Sequence, residues 1–398
     1  MTNDKMIQFG RIQSEVASAG LDGWLFYGFH DIDPIAIDIL QLPKDSLFTR
    51  RWFYLVPPRG TPLKLVSRVE KHALDALPGE RLEYTSWEEL EERLQSMLRA
   101  QRKVAMQYSA ESAVPYVSRV DGGILDLVRK CGATVVTSAD LVQRLQSVWS
   151  ERQFEMHRTA AGKLYEIVES TFAWVKQQFH PSGVDEYGIQ QQMVRLFEER
   201  RLETDHPPIV AFNQDASDPH FAPSQATSRK GHRGDILLID LWGKERQQGA
   251  VYADITWMGV LDDRVGDRHG VIFALAAAAR DTGVHLLRER WEHQQKVFGW
   301  EVDDAVRGVI EDQGLADYFV HRTGHSIGES VHGNGVNLDN LETRDEREII
   351  PGVCFSIEPG IYLPEFGVRT EIDVYVDPRQ GPLVTTQPVQ QELVRILA

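Results

Sequence analysis

Cysteine is scarce in this chain: only two of its 398 residues are cysteines, Cys131 and Cys354. Two thiols supply neither a disulfide framework nor a thiolate cluster for a metal ion. Any metal site in this chain must therefore be built from imidazole and carboxylate groups.

Positive charge is also in short supply. The chain has 43 lysines and arginines against 59 aspartates and glutamates, which gives a formal net charge of −16. So acidic a chain repels a phosphate backbone, and no nucleic-acid partner is expected. A surplus of carboxylates suits cation binding, although most single acidic side chains simply face solvent.

Long apolar segments are missing as well. No run approaches the roughly 18 residues that cross a bilayer, and residues 1–20 lack a basic segment followed by an apolar one. These absences predict a cytoplasmic location and no membrane partner. The glycine-rich phosphate loops GxGxxG and GxxxxGKS/T are absent too, so nucleotide binding has no support.

The pattern of apolar residues divides the chain into two parts. In residues 1–150 short apolar runs alternate with amphipathic stretches, which is typical of an α/β domain. The predicted strands are 23–27, 52–56, 63–66, 103–107 and 134–137, and the predicted helices are 5–19, 87–101 and 121–130. Two long helical stretches, 151–179 and 184–201, open the second part. We therefore predict domains at 1–150 and 151–398.

Two consecutive strands of the second part each carry an aspartate among apolar residues, Asp240 in 234–242 and Asp254 in 251–257. A buried carboxylate is unfavourable unless it is paired or bound to a metal. A hairpin that pairs Asp240 with Asp254 leaves a polar loop at 245–249. In that register the two carboxylates lie on one face, about 5 Å apart. They then need a cation between them; the alternative is two unrelated acidic residues.

Three histidines, His321, His325 and His332, lie close together in the sequence. The spacing of the first two suits one face of a helix, but Gly324 and Gly328 oppose a regular helix. The segment is therefore predicted to be a glycine-rich loop or strand end. Such a cluster indicates metal binding or acid–base chemistry, against the alternative of ordinary polar side chains.

Two more acidic residues extend the candidate set. Glu358 ends an apolar strand and precedes Pro-Gly, which places it at the rim of a sheet. Residues 367–376 alternate in polarity, with Arg369, Glu371 and Asp373 on one face; the alternative is an edge strand with a solvated polar face. Four carboxylates and one imidazole suit two divalent ions bridged by acids better than a single zinc ion.

Five segments carry a family resemblance: LLIDLWGK, YADITW, HRTGHSIGESVHGNG, FSIEPGIY and GVRTEID. In this order they resemble the pita-bread metallopeptidases, the family of Xaa-Pro aminopeptidases, Xaa-Pro dipeptidases (prolidases) and methionine aminopeptidases. The resemblance implies an α+β chain in which a pita-bread catalytic domain at 151–398 follows a smaller α/β domain of creatinase type at 1–150. The opening RIQSEVASAGLDGWLFYGFHDI is similar to the N-terminal domain of proline-specific members, which favours Xaa-Pro cleavage.

The resemblance also implies a set of metal ligands. Asp240 corresponds to a bidentate ligand of one metal ion. Asp254 and Glu371 correspond to bridges between both ions, and His325 and Glu358 complete the other site. The nucleophile implied is a metal-bridging hydroxide, and Glu358 is the candidate to handle its proton.

Four further residues match positions near the substrate. His220, in FNQDASDPHFAPS, matches a histidine that contacts the scissile region, and His332 matches one that polarises the scissile carbonyl. His321 and Arg369 match positions that line the substrate pocket. The implied catalytic residues are thus His220, His332 and Glu358.

The resemblance implies two divalent metal ions, with Mn²⁺ favoured and Co²⁺, Zn²⁺ or Fe²⁺ as alternatives. The implied substrate is a peptide with proline at its second position, cleaved at the Xaa-Pro bond, and the implied assembly is a homodimer. Aminopeptidase and dipeptidase action are not distinguished, because Arg369 could bind a free carboxylate but occurs in both. Two other functions stay open: a non-catalytic pita-bread binding protein and a metal-independent creatinase-like hydrolase.

Two features depart from the family pattern. Trp257 and Met258 stand where the family commonly has Arg-Thr, and 14 positions separate Asp240 from Asp254, more than is usual. Neither change removes a ligand. Both predict that Trp257 and the loop at 245–249 reshape the entrance to the site.

Overall fold

The computed structural model of the protein describes residues 3–30, 33–43 and 48–398. Its chain divides into two compact units, Met1–Gln146 and Ser147–Ala398. The first unit has one mixed sheet of six strands, in the order β4-β3-β2-β1-β5-β6. Its helices are α1 (Asn3–Ser18), α2 (Pro34–Ile39), α3 (Trp87–Leu98), α4 (Gly122–Lys130) and α5 (Ala139–Val142); its strands are β1 (Gly23–Gly28), β2 (Trp52–Val56), β3 (Leu63–Ser67), β4 (Glu80–Tyr84), β5 (Lys103–Met106) and β6 (Thr134–Thr137).

Both faces of this sheet are covered by apolar side chains, because alternate residues of a strand point to opposite faces. On β1, Trp24 and Phe26 belong to a core cluster shared with α1 and α2. Leu25 and Tyr27 belong to a second cluster, shared with α3 and α4. The five strands predicted in this unit are confirmed within a residue or two. Strand β4 was not predicted, since its sequence ERLEY is largely charged.

The first element of the second unit is a 28-residue helix, and the later elements include two series of consecutive strands separated by a pair of helices. Its helices are α6 (Glu151–Gln178), α7 (Glu186–Glu199), α8 (Asp267–Glu292) and α9 (Gly299–Glu311). Its strands are β7 (Val184–Asp185), β8 (Leu202–Glu203), β9 (Ile209–Phe212), β10 (Lys230–Gly231), β11 (Ile236–Glu245), β12 (Ala253–Val260), β13 (Ser326–Ile327), β14 (Cys354–Ile357), β15 (Gly360–Tyr362), β16 (Gly367–Arg369), β17 (Ile372–Asp377), β18 (Gly381–Val384) and β19 (Val394–Arg395).

Two sheets of this unit present polar faces to each other. One has the order β19-β12-β11-β8, with β9 also paired to β11, and the other has the order β13-β14-β17-β18. The backbone N–H of Asp254 on β12 donates to the carboxylate of Asp373 on β17, 2.9 Å away. The hydroxyl of Thr256 donates to Glu371 at 2.8 Å. These hydrogen bonds join the sheets at the place where the candidate ligands lie.

Apolar helices cover the outer faces of both sheets. Helices α6 and α7 pack on the outer face of β11 and β12 in one cluster, whereas α8 and α9 share a cluster with β14 and β17. Helix α8 is long and apolar enough to span a bilayer by length and composition alone. Its residues Phe273 and Ala276 are buried in the core, however, as in the central helix of a globular unit.

The register of the β11–β12 hairpin corrects the predicted pairing. Asp240 lies opposite Thr256, and Trp242 lies opposite Asp254. The register is therefore shifted by two residues, which keeps both aspartates on the same face because side chains alternate with a period of two. The predicted loop 245–249 is also wrong at its start, since β11 continues to residue 245.

The pairing of the hairpin also ends before Tyr252, which lies in the predicted strand 251–257. Its backbone N–H donates instead to the carbonyl of Gly328 at 2.9 Å. Its ring is buried in a cluster with Ile327 and Val331. Regular pairing with β11 therefore begins only at Ala253.

The predicted strand 367–376 is interrupted in its middle. Strand β16 pairs with β15 and β17 pairs with β14, so that Thr370 and Glu371 lie between two strands. Pro359, which has no N–H to give to a ladder, separates β14 from β15, and its carbonyl accepts from the N–H of Thr370. The alternative of a solvated edge strand is wrong, because β17 lies between β14 and β18 and Asp373 is fully buried.

Candidate metal centre

The β11–β12 hairpin brings two aspartates into the interior. On β11 the side chains of Ile236 and Leu238 point to the same face as Asp240, so the third residue of this apolar series is a carboxylate. Asp240 is 7% exposed and Asp254 is 4% exposed. Among the described residues, neither Oδ1 atom has a hydrogen-bond partner. Two buried carboxylates thus keep an unsatisfied oxygen each.

Two glutamates approach from the facing sheet. Glu371 lies in the break between β16 and β17 and is 4% exposed. Glu358 follows β14, and one of its oxygens accepts from the hydroxyl of Ser356 at 3.0 Å. Because the strand is broken at Glu371, the side chain of this residue lies between the two sheets, where it accepts a hydrogen bond from the hydroxyl of Thr256.

His325 is held beside these carboxylates by its backbone. Its N–H donates to the Ser356 hydroxyl at 3.0 Å. The preceding Gly324 lies so close to the Ser356 carbonyl that a Cβ would collide with it, so this approach requires glycine. The Nε2 atom of His325 lies 3.6 Å from Asp254 and 3.4 Å from Glu358.

The structure brings all five predicted ligands together. Ligand atoms of Asp254, His325 and Glu371 lie within 4.8 Å of one another. Glu358 joins this group through His325, and the charge of Asp240 acts directly on the pKa of Asp254. Four carboxylates and one imidazole converge although some 130 positions of sequence separate the first from the last.

Burial and mutual repulsion dominate the electrostatics of this cluster. Desolvation, and then the charges of neighbouring carboxylates, raise the pKa of Asp254 and Glu371 well above the ordinary range. Desolvation also raises the pKa of Glu358 to about 7. Burial lowers the pKa of His325, so its imidazole is neutral and free to bind a cation. A donor set of carboxylate oxygens and one imidazole suits divalent ions.

Arg369 is the cation closest to Asp240. Its guanidinium donates to Asp240 at 2.5 Å, to the hydroxyl of Tyr362 at 3.0 Å and to that of Thr256 at 3.2 Å. A weaker bond of 3.3 Å reaches the carbonyl of Pro219. Its charge opposes the effect of burial, which still raises the pKa of Asp240. The guanidinium of Arg369 therefore makes its hydrogen bonds within the site, and one of them orients the carboxylate of Asp240.

His220 and His332 lie at the margin of the cluster. His220 is exposed and follows the residue whose carbonyl accepts from Arg369. The His332 ring meets the His325 ring edge-on, with centroids 4.4 Å apart. Desolvation, followed by the charge of Arg322, lowers the pKa of His332 to about 4. A neutral His332 can still donate a hydrogen bond to a substrate.

His321 lies one layer further from the candidate ligands. Its Nδ1 is 2.7 Å from the carbonyl of Arg322, so Nδ1 carries the proton, and Nε2 accepts from the hydroxyl of Tyr362 at 2.6 Å. Burial lowers the pKa of His321 to about 3. Through Tyr362 this histidine is linked to Arg369. The structure thus places it behind Arg369.

Sequence reasoning missed three polar residues of the site. Thr256 joins Glu371 to Arg369, and Ser356 joins Glu358 to the backbone of the histidine segment. Asp373 accepts the backbone N–H of Asp254 and was assigned no role. Each of them lies two residues from a candidate ligand in the sequence, so that its side chain is expected on the same face of the strand. This two-residue spacing is the signal that could have found them.

For two sequence features the geometry rules out a suggested role. Trp257 lies on the opposite face of β12 and packs against Tyr165, with ring centroids 5.2 Å apart, so the prediction that it reshapes the entrance is wrong. The stretch from Gly324 to Gly328 has the Gly-x-Ser-x-Gly spacing of serine hydrolases. Its Ser326 is 1% exposed on β13, and its hydroxyl accepts from a backbone N–H, unlike a nucleophile at a strand–helix turn.

Comparison with known proteins gives a family match for the second unit. The model of metallopeptidase family M24 matches residues 155–378. The probable dipeptidase PepE of Mycobacterium tuberculosis is 28% identical over 257 residues, which cover 64% of this chain and 62% of that relative. The Xaa-Pro dipeptidase of Lactobacillus delbrueckii subsp. lactis is 29% identical over 171 residues, 43% of this chain and 42% of that one. These matches span less than two thirds of either relative.

Solved structures match over nearly the whole length. The dipeptidase PepE from Mycobacterium ulcerans has a TM-score of 0.70 at 23% identity and covers 98% of each chain. The prolidase from Thermococcus sibiricus has a TM-score of 0.63 at 19% identity, covering 99% of this chain and 100% of the other. At these identities the likeness shows the fold.

Proposed function

Because the chain belongs to metallopeptidase family M24, whose model matches residues 155–378, we propose that it is a metal-dependent peptidase. The predicted pita-bread fold is confirmed by the solved relatives. The domain boundary at residue 150 and the creatinase type of the first unit stay predictions.

The reaction we propose is hydrolysis of the bond between a first residue and a following proline, in dipeptides or in longer peptides. One relative is named a Xaa-Pro dipeptidase and a second a probable dipeptidase, which supports a small peptide as substrate. The sequence of the first part, similar to that of proline-specific members, supports proline at the second position.

One observation carries the proposal: buried carboxylates from two facing sheets meet around a neutral imidazole. The proposed holders of two divalent cations, Mn²⁺ first, are Asp240, Asp254, His325, Glu358 and Glu371. The carboxylate oxygens that lack a partner fit such ions, since a buried anion needs compensation. When bound, the cations would lower the pKa of a water molecule and stabilise the developing oxyanion.

The remaining steps fall to the side chains around the ligands. Glu358, whose carboxylate lies 3.4 Å from His325 Nε2, is the proposed acceptor of the proton that the attacking water loses. His332 donates a hydrogen bond to the scissile carbonyl, and His220 contacts the scissile region from the exposed loop. Arg369 and His321 form the back of the substrate pocket, where Arg369 holds Asp240 in place.

The proposal is tested by metal content and a substrate panel together. Purified protein is assayed on Xaa-Pro dipeptides and longer Xaa-Pro peptides after chelation and after addition of Mn²⁺ or Co²⁺. We expect two ions per chain by elemental analysis, loss of cleavage on chelation and its return with metal. Binding of metal and peptide with no cleavage would indicate a binding protein instead. Turnover of a guanidino substrate without metal would indicate a creatinase-like hydrolase.

We also propose a homodimer and a cytoplasmic location, as the resemblance implies. The chain has a mass of 45.2 kDa, so light scattering should give twice that value for the purified protein. A monomer mass at micromolar concentration would contradict the dimer. Cell fractionation tests the location.

A further inference from the structure

Trp242 places a large aromatic side chain beside the candidate metal ligands. The hairpin register sets it directly opposite Asp254, and it lies two residues after Asp240 on the same strand. Opposed residues of an antiparallel pair share a face and lie about 5 Å apart. The indole is therefore a neighbour of the ligand cluster.

The indole is fixed on two sides. Its Nε1 donates to the Oδ1 atom of Asp205 at 2.6 Å. The ring is half-buried against the cluster that contains Ile327 and Val331. Val331 directly precedes His332, and the charge of Asp205 acts on the His332 imidazole, where it opposes the effect of desolvation. Trp242 is thus opposite Asp254 in the hairpin and packs against the apolar cluster that contains Val331, the neighbour of His332.

We propose that Trp242, held by Asp205, limits the size of the substrate residue that precedes the scissile bond. The inference rests on the proposed function, in which the scissile carbonyl lies between the metal ligands and His332. A rigid indole next to that carbonyl fills the space into which the first side chain would extend. A small first residue fits beside it, whereas a bulky one collides.

The test compares Trp242→Ala with Trp257→Ala in the full-length, Mn²⁺-loaded protein. Trp257 is the matched control, because it lies on the other face of the same hairpin. The measurement is kcat/KM for Ala-Pro, Leu-Pro and Phe-Pro. For Trp242→Ala the ratio of Phe-Pro to Ala-Pro should rise by about tenfold or more, mainly through KM. The control should keep the wild-type ratio, and Mn²⁺ affinity by calorimetry should be unchanged in both.

A second pair of variants approaches the same indole from the surface. The side chain of Asp205 is 45% exposed, so its replacement should leave the fold intact. Asp205→Leu removes the acceptor of the indole N–H and should shift the ratio in the same direction by a smaller factor. Asp205→Asn keeps a carbonyl acceptor and should retain the wild-type ratio. This pair decides the question if Trp242→Ala does not fold.

Each other outcome has a definite meaning. If the wild type cleaves these dipeptides and the Phe-Pro to Ala-Pro ratio of kcat/KM is the same in Trp242→Ala and Asp205→Leu, this inference alone is overturned. A uniform loss on all three substrates with weaker Mn²⁺ binding would overturn it as well, since Trp242 would then support the metal ligands. Failure of the wild type to cleave any member of the panel would overturn the proposed function and this inference with it.

Discussion

The two faces of the β11–β12 hairpin carry opposite chemistry on the same two strands. Toward α6 and α7, Ile239 and Ile255 pack in an apolar core. Toward the second sheet, one residue away in each strand, Asp240 and Asp254 meet other carboxylates. Both faces are buried, so burial alone does not distinguish the core from the site. What separates them is whether a buried group is satisfied by its neighbours.

The buried carboxylates of the polar face are unfavourable in their ionised form when no cation is bound. On the apolar face, burial stabilises the folded state by roughly 25 cal/mol per Å². On the polar face, burial raises the pKa of Asp254 and Glu371, which means that the folded state resists their ionisation. The same hairpin therefore stabilises the fold on one side and, on the other, holds carboxyl groups that must be neutralised by a proton or by the proposed cations.

The largest expected effect breaks the polar face. Asp254→Asn removes a proposed bridging carboxylate, and the loss of several kcal/mol of electrostatic stabilisation should lower kcat/KM by at least about 10³-fold. The melting temperature of the metal-free variant should not fall, because the amide stays neutral at every pH whereas burial and the neighbouring carboxylates disfavour an ionised Asp254. Peptide assay and circular dichroism check both points. Activity within tenfold of wild type would refute the assignment of this ligand.

The second largest effect is expected for a substitution on the apolar face, one residue further along the same strand. Ile255→Ala leaves a cavity among α6 side chains and should lower the free energy of unfolding by about 2–5 kcal/mol. Mn²⁺ affinity and activity per folded molecule should stay at the wild-type level. Urea unfolding and calorimetry give the two values. Loss of Mn²⁺ binding without loss of stability would reverse the roles assigned to the two faces.

A smaller effect is expected from the hydroxyl that connects the polar face to the facing sheet. Thr256→Val keeps the shape but loses the bonds to Glu371 and Arg369. Such positioning contacts are typically worth 10–100-fold in metal affinity or activity. The control is Thr159→Val, whose hydroxyl is exposed on α6. Equal Mn²⁺ affinity in both variants would show that this contact does not position the ligands.

The smallest effect concerns pH. Desolvation and the charge of Asp240 raise the pKa of Glu358 from 4.5 to about 7 in the metal-free protein. The folded state then holds more protons than the unfolded one between about pH 4.5 and 7, so this contribution to stability is present at low pH and lost as pH rises. The difference in melting temperature between Mn²⁺-loaded and chelated protein should therefore grow from pH 5 to pH 7.5. A constant difference would contradict the assignment.

The titration of His321 changes stability with pH in the opposite direction, but it does not alter the difference in melting temperature between the Mn²⁺-loaded and the chelated protein. Its pKa is lowered from 6.5 to about 3, so its contribution is complete above pH 6.5 and is lost as pH falls. His321 is not among the proposed ligands. Its effect is therefore present in both forms and cancels from their difference.

The contrast between the faces was largely readable from the sequence. Apolar runs interrupted by a single acid predicted both aspartates in buried strands, and the period of two kept them on one face even though the register was wrong. The end of the β11–β12 pairing, in contrast, coincides with Tyr252, whose N–H donates to the carbonyl of Gly328 some 76 positions away. The break at Thr370 likewise depends on Pro359. Such choices between distant backbone partners leave no local pattern, and the position of Trp242 beside the ligands follows from them.

The most direct measurement is an anomalous diffraction map from a crystal of this protein soaked in Mn²⁺. The account predicts two peaks between the facing sheets, with Asp254 and Glu371 in contact with both and Asp240 in contact with one. A map with no peak among these side chains, or with peaks only elsewhere on the protein, would contradict it.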